Sequence, residues 1–273
     1  MTWCPRWTGS STPSCARKPC CSSQIEGTQA TLIDLLAFEA EEQATPIADV
    51  EEVCNYLEAI TYARGKMASD KGLPPSVRLR NEAHRRLMSG ARGANRQPGD
   101  VRRSQNWIGS SRPGNAIFVP PPPNTLADLL SGLETYIHSD DGLPKLVRAG
   151  LVHVQFETIH PYLDGNGRIG RLLITLLFEH WASLDKPLLY LSLFFKRHQG
   201  EYYRRLDAVR TSGDWESWLD FFLDGVATIA DEAMASARDL FALVNSDHGR
   251  ALKSGSTTVS AIRLFDRFPA IRS

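Results

Sequence analysis

Apolar residues at Ile169, Leu172, Leu173, Leu176 and Leu177 recur at i, i+3, i+4, i+7 and i+8, which predicts a helix with one firmly buried face. Just upstream, Leu146, Leu151, Val154 and Phe156 fit a second helix with gaps in its stripe, ended by Pro161. Earlier helical patterns carry Leu32, Leu35 and Leu36, then Val53, Leu57, Ile60 and Tyr62. A further one covers 76–88 and includes His84, read as a surface or helix-packing residue. Helical patterns resume over 125–139, 198–211 and 215–242. The apolar run from Leu188 to Phe195 fits a strand or a buried helix by periodicity alone. Two short β-prone segments, 106–109 and 116–119, bracket a turn-rich stretch and predict a small β-hairpin. Pro120 to Pro123 then impose an extended connector. The fold class is therefore mainly α, with one small hairpin.

Between the two strongest helices lies His160-Pro161-Tyr162-Leu163-Asp164-Gly165-Asn166-Gly167-Arg168-Ile169-Gly170-Arg171. Glycines on both sides of Asn166 let the backbone take positive φ and aim successive N–H groups into one concavity. The following helix adds its unpaired N-terminal N–H groups, so the turn is a ready anion site. Arg168 and Arg171 stand at the positive end of that helix, where cations are unfavourable by about 0.3–1 kcal/mol each unless an anion binds. Their guanidinium forks suit phosphate. Asp164 is a hard oxygen ligand of the kind Mg²⁺ uses beside phosphates. His160 can accept a proton from an attacking hydroxyl near neutral pH. Each piece alone is commonplace, a turn, a helix-end histidine, two solvated arginines; their concentration in twelve residues is what points to a site.

This stretch resembles the signature of the Fic (Fido) family, His-Pro-aromatic-x-Asp-Gly-Asn-Gly-Arg-x-Gly-Arg, with every defining position filled. The resemblance implies a Fic-type helical bundle with a hairpin flap, and a protein adenylyltransferase that moves AMP from ATP to a Ser, Thr or Tyr hydroxyl. His160 would be the catalytic base. Gly165, Asn166, Gly167, Arg168, Ile169, Gly170 and Arg171 would hold the nucleotide, with Asn166 orienting the α-phosphate, and Asp164 would hold Mg²⁺. Tyr203, in the Tyr202-Tyr203 pair, would be a weaker adenine contact. Read locally, Ser22-Ser23-Gln24-Ile25-Glu26-Gly27-Thr28 is a helix end and joint, with Gly27 suited to a C′ position. It also matches the family's inhibitory segment, Ser/Thr-x-x-x-Glu-Gly. That match implies that Ser22 and Glu26 belong to an inhibitory device in which Glu26 pairs with Arg171 against ATP. The alternatives are removal of AMP from modified proteins with help from Glu26, and a non-catalytic nucleotide-binding protein.

Lys+Arg and Asp+Glu balance at 31 each in 273 residues, so no global charge argues for nucleic acid or an acidic membrane. No apolar run reaches the roughly 18 residues a membrane helix needs, and there is no apolar secretory core at the N-terminus. The expected setting is cytoplasmic. The expected partner is a target protein's hydroxyl, the chain itself included, with a homodimer left open. Cys4, Cys15, Cys20 and Cys21 crowd the start without a trusted ligand pattern and read as reduced thiols. Residues 1–21 are read as an atypical, disordered N-terminus and 22–95 as a helical region with the inhibitory segment. Residues 96–225 are read as the catalytic core, and 226–273 as a C-terminal helical segment and tail, truncated.

Overall fold

A computed structural model describes residues 22–26, 48–69, 72–90, 95–109, 113–183, 189 and 191–253. The readings made for Cys4 to Cys21, Gly27, Thr28, the Leu32–Leu36 helix and the C-terminal tail lie outside these residues. Among the described residues, after a helical turn at 22–25, the helices are in order α1 (Ala48–Met67), α2 (Val77–Leu87), α3 (Leu126–His138), α4 (Lys145–Ile159), α5 (Asn166–His180), α6 (Leu191–Arg197), α7 (Gln199–Ser212) and α8 (Trp215–Lys253). Of the apolar run from Leu188 to Phe195, the part from Leu191 onward is helix, and 215–253 is one long closing helix. Among the described residues, no helix is long and apolar enough to cross a membrane.

The antiparallel pair α4–α5 is the centre of the molecule, and it is buried from two sides. On one side Val152, Phe156 and Ile159 of α4 and Ile169, Leu172, Leu173 and Leu176 of α5 pack with α1, α2 and α3. On the other, Ala149, Val154, Ile174 and Phe178 meet α6, α7 and α8 through Phe195, Tyr202, Trp218 and Phe222. This explains the gaps in the α4 stripe: a helix covered on both faces has no single apolar side to display. Gly150 lets α8 approach α4 closely. A side chain there would press on Leu219 and Phe222, and Trp218 Nε1 donates to the Gly150 carbonyl at 2.9 Å.

Helix ends are closed by specific residues. Ser76 caps α2 by accepting from Leu79 N at 3.2 Å. The buried Arg148 of α4 donates to the Tyr136 and Ser139 carbonyls at 2.6 and 2.7 Å, which caps the end of α3. The expected two-stranded hairpin is a correction. Among the described residues there is no named strand, only an isolated antiparallel bridge between Ile108 and Phe118, with a 3₁₀ turn at Pro113–Asn115. The reason is local chemistry. Proline follows directly at 120, so the ladder cannot extend, and a hairpin with no third strand is marginal.

Candidate active site

Helix α4 ends at His160, whose backbone sits in the left-handed region at φ 49°, ψ 60°. Pro161 cannot continue the helix, and the chain turns over Asp164 into Gly165, again left-handed at φ 76°, before α5 begins. The turn is locked from within. Asn166, 2 % exposed, accepts from Tyr162 N at 2.9 Å and donates to Tyr162 O at 2.8 Å. These two bonds close the turn on Tyr162 and leave the second Nδ2 hydrogen without a partner among the described residues. Asp164 Oδ1 accepts from Gly165 N at 2.6 Å, and its side chain is 47 % exposed.

The loop is also held from below by His84, which is fully buried on α2. The Gly99 N–H donates to His84 Nδ1 at 2.8 Å, so the proton is on Nε2, which lies 3.0 Å from the Asp164 carbonyl. The ring stacks on Tyr162 with centroids 3.8 Å apart. Burial pushes the imidazole down to about 4, helped by Arg168. The polar-helix pattern around His84 gave no hint of this role; the only signal was a histidine at a buried position of an otherwise charged turn.

Arg168 and Arg171 are both buried, at 6 % and 2 % exposure, rather than solvated. Arg168 lies 3.5 Å from Glu52 of α1 and 3.7 Å from Asp164, and its Nε has no hydrogen-bond partner. Arg171 donates to Ser22 Oγ at 3.1 Å, the Ser22 carbonyl at 2.9 Å and Glu26 Oε1 at 2.7 Å. Burial pulls this guanidinium down, and the charge of Glu26, with Tyr202 and Glu157, more than offsets it, so the net shift is upward. Glu26 Oε1 also lies over Gly167, where any side chain would collide with it. Ser22 and Glu26 are thus brought to the anion mouth as the sequence pattern implies. The segment is kept there by Lys196 and Gln199, which donate to Gln24 at 2.6 Å and to the Ile25 carbonyl at 2.8 Å. Tyr203 stands beside it, 45 % exposed, with its hydroxyl pushed up to about 12 by burial and then by Glu26.

His160 is partly enclosed. Burial, then the charges of Arg210 and Arg102, push its ring down to about 4, so it is neutral at physiological pH. Its Nδ1 is buried and has no hydrogen-bond partner among the described residues. Glu157, also buried, has its carboxyl pushed up to about 7 by burial against the opposing field of Arg171. The flap approach crosses above: Arg102 N donates to the Pro161 carbonyl at 2.9 Å and Asn106 Nδ2 to the Tyr162 carbonyl at 3.1 Å. Sequence reasoning missed Glu52, Arg102, Glu157 and Arg210, because a charge on a helix or loop reads as solvated until the partner elements are in place.

No cluster of three or more His, Cys, Asp or Glu side chains that could hold a metal occurs among the described residues. Asp164, a half-exposed carboxylate beside a helix N-terminus, nevertheless fits Mg²⁺, which binds through one or two carboxylates plus substrate phosphates.

The Fic/DOC family model matches residues 75–178, and the model for the Fic/DOC family N-terminal region matches 20–64; together they span more than half of the chain. The protein adenylyltransferase Fic of Drosophila grimshawi is 29 % identical over 161 residues, covering 58 % of this chain and 30 % of that protein. The protein of the same name from Aedes aegypti is 30 % identical over 145 residues, covering 52 % and 26 %. The chain therefore spans less than a third of the length of these relatives. A Fic family protein from Desulfovibrio desulfuricans superposes with a TM-score of 0.69 at 24 % identity, covering 82 % of this chain and 66 % of that one. A Fic domain containing signaling protein from Bacteroides thetaiotaomicron gives 0.63 at 17 % identity, covering 81 % and 87 %. Motif, helical architecture and both matched regions agree: the chain belongs to the Fic/DOC family.

Proposed function

We propose that this chain is a protein adenylyltransferase that moves AMP from ATP to a Ser, Thr or Tyr hydroxyl of a protein, and that Glu26 holds it in check. The observation that carries the reading is the placement of two buried arginines and a glycine-flanked helix N-terminus within reach of one neutral histidine. Arg171 already holds a carboxylate on its fork and Arg168 keeps an Nε without a partner, so both suit an anion, and a polyphosphate at the helix N-terminus is such a ligand.

The target hydroxyl oxygen attacks the α-phosphorus. A new O–P bond forms, the bond from the α-phosphorus to the bridging oxygen breaks, and pyrophosphate leaves. His160 takes the hydroxyl proton on Nε2, since Nδ1 faces the protein interior. A ring near pKa 4 is a weak base, but the negative charge of bound phosphates opposes the fields of Arg102 and Arg210 and raises it toward the working range. Main-chain N–H groups of Asn166, Gly167 and Arg168 cradle the phosphates, with Gly165 turning the chain into the helix and Ile169 and Gly170 continuing the first turn beneath them. Arg168 and Arg171 stabilise charge on the departing group, so the catalysis is mostly positioning and electrostatics. Asp164 would hold Mg²⁺, which supplies neutralisation of charge on the α- and β-phosphate oxygens. Tyr203, half exposed beside this mouth, is available to line the adenine. Glu26 opposes all of this by occupying the Arg171 fork.

Transfer from ATP labelled at the α-phosphate tests the reading. Glu26→Gly is expected to label itself or an added protein acceptor strongly, and Glu26→Gly combined with His160→Ala is expected to show no label. Equal labelling with and without His160 would remove it as the base.

A further inference from the structure

Helix α4 ends in orphan carbonyls at the negative end of its dipole. Two arginines from elsewhere in the chain meet them. Arg102, 1 % exposed, donates from Nε to the His160 carbonyl at 2.9 Å. The same guanidinium donates to the carbonyls of Ser104 at 3.2 Å and Pro121 at 2.5 Å, one on each leg of the flap. Arg102 has no carboxylate partner among the described residues, and burial alone lowers its pKa. Arg210 of α7 donates to the Glu157 carbonyl at 3.0 Å. Its guanidinium carbon lies 4.5 Å from the ring centroid of Phe118, the flap residue bridged to Ile108. Each guanidinium therefore touches both the flap and the last turn of the helix that ends in His160.

Arg148 at the end of α3 shows what a plain arginine cap looks like: its carbonyl acceptors belong to one helix end and the residues after it. Arg102 differs, because its three acceptors lie on three separate stretches of chain. A lone bridge cannot fix a flap over a site by itself. A planar fork of five donors meets three such carbonyls in fixed directions from three separate nitrogens; an ammonium has three donors but all on one nitrogen, without the plane that holds the carbonyls in place.

We propose that Arg102 and Arg210 are positioning residues that clamp the flap to the end of the base helix, so that the flap and His160 hold one fixed geometry. This rests on His160 being the base in the function proposed above. A target segment seated on the flap would then be carried in register with the ring that takes its proton. The groups facing His160 are Arg210 from α7, Arg102 from the flap approach, Glu26 from the N-terminal segment and Glu157 one turn earlier on α4. Burial first, and then the two arginines, push the ring's pKa down, while the Glu157 carbonyl and Glu26 act in the opposite sense.

The test uses the full chain carrying Glu26→Gly, with Arg210→Met, Arg210→Lys, Phe118→Leu and Arg102→Lys added singly. The His160 ring is followed by NMR across pH, its signal assigned by loss in His160→Ala. Arg210→Met is expected to move the His160 pKa up toward the ordinary 6.5, and Arg210→Lys, which keeps the charge, to leave it low. Self-labelling from α-labelled ATP is expected to slow about 10- to 100-fold in Arg210→Met, Phe118→Leu and Arg102→Lys while ATP affinity holds. If Arg102→Lys does not fold, the Arg210 and Phe118 variants carry the test. An unmoved His160 pKa together with an unmoved labelling rate overturns the clamp while leaving the proposed function standing. A moved pKa in a parent that transfers nothing sinks the proposed function and leaves the clamp.

Discussion

His84 shows how one buried side chain can fix a catalytic loop. Its Nδ1 accepts from Gly99, its Nε2 donates to the Asp164 carbonyl, and its face lies flat on Tyr162. Removing it leaves a buried donor and a buried acceptor unmatched, each costing about 1–3 kcal/mol. His84→Ala is therefore expected to lower the unfolding free energy by at least about 2 kcal/mol in urea denaturation; a loss within experimental scatter would mean that the loop stands without it. At this scale the sequence was readable only where a motif carried the information. His160, Asp164, Arg168 and Arg171 stand together because the motif is contiguous, and Glu26 meets Arg171 as the family resemblance implied, while the Ser22 bonds to the same guanidinium were not foreseen. Arg102, Arg210 and Glu52 were silent, because each acts through backbone or charge partners far away in the chain. Asn166 was read as a phosphate-orienting residue, and what no pattern announced is that its amide also closes the loop on Tyr162.

Among elements, α5 was the most legible, because Ile169, Leu172, Leu173, Leu176 and Leu177 form an unbroken stripe toward α1–α3 and its polar start is the motif itself, although Ile174 and Phe178 are buried in the other core. Helix α4 was harder. It is buried by α1–α3 on one side and by α6–α8 on the other, so its stripe has no clear edge. Gly150 is part of the reason α8 can close against it, and no periodicity announces a glycine whose job is to let another helix in. The flap was legible as a place and not as a conformation. Its β-prone segments meet at one bridge, since prolines after Val119 remove the donors a longer ladder needs. What holds the flap over the site is side-chain chemistry from Arg102, Asn106 and Arg210, which strand propensity does not encode.

For the whole molecule, the two cores share α4 and α5, so the site sits at their junction and its charged residues are buried with them. That burial makes stability depend on pH. His84, His153 and His160 are pushed from 6.5 to about 4, about 3 and about 4, in each case chiefly by burial. Between about pH 4 and 6.5 the unfolded chain holds more protons at these rings, so stability rises with pH by about 1.4 kcal/mol per unit for each. Glu157, raised from 4.5 to about 7 by burial, acts in reverse: its contribution is full below 4.5 and is lost as pH rises through 7. Three groups outweigh one, so the urea midpoint is expected to climb from about pH 4.5 to about pH 6 and to level near pH 7. A midpoint flat across that range would mean that these groups are not held neutral by the fold.

The central claim is that Glu26 and the phosphates of ATP compete for one guanidinium, Arg171. The most direct measurement is calorimetric titration with a non-hydrolysable ATP analogue and Mg²⁺ on the wild type, Glu26→Gly, and Glu26→Gly combined with Arg171→Ala. Glu26→Gly is expected to bind about tenfold or more tightly than the wild type, in keeping with a charge-assisted pair withdrawn from the competition. The double variant is expected to lose that gain. Equal affinity in the wild type and Glu26→Gly would contradict the account, because the carboxylate seen on Arg171 would then not stand in the nucleotide's way.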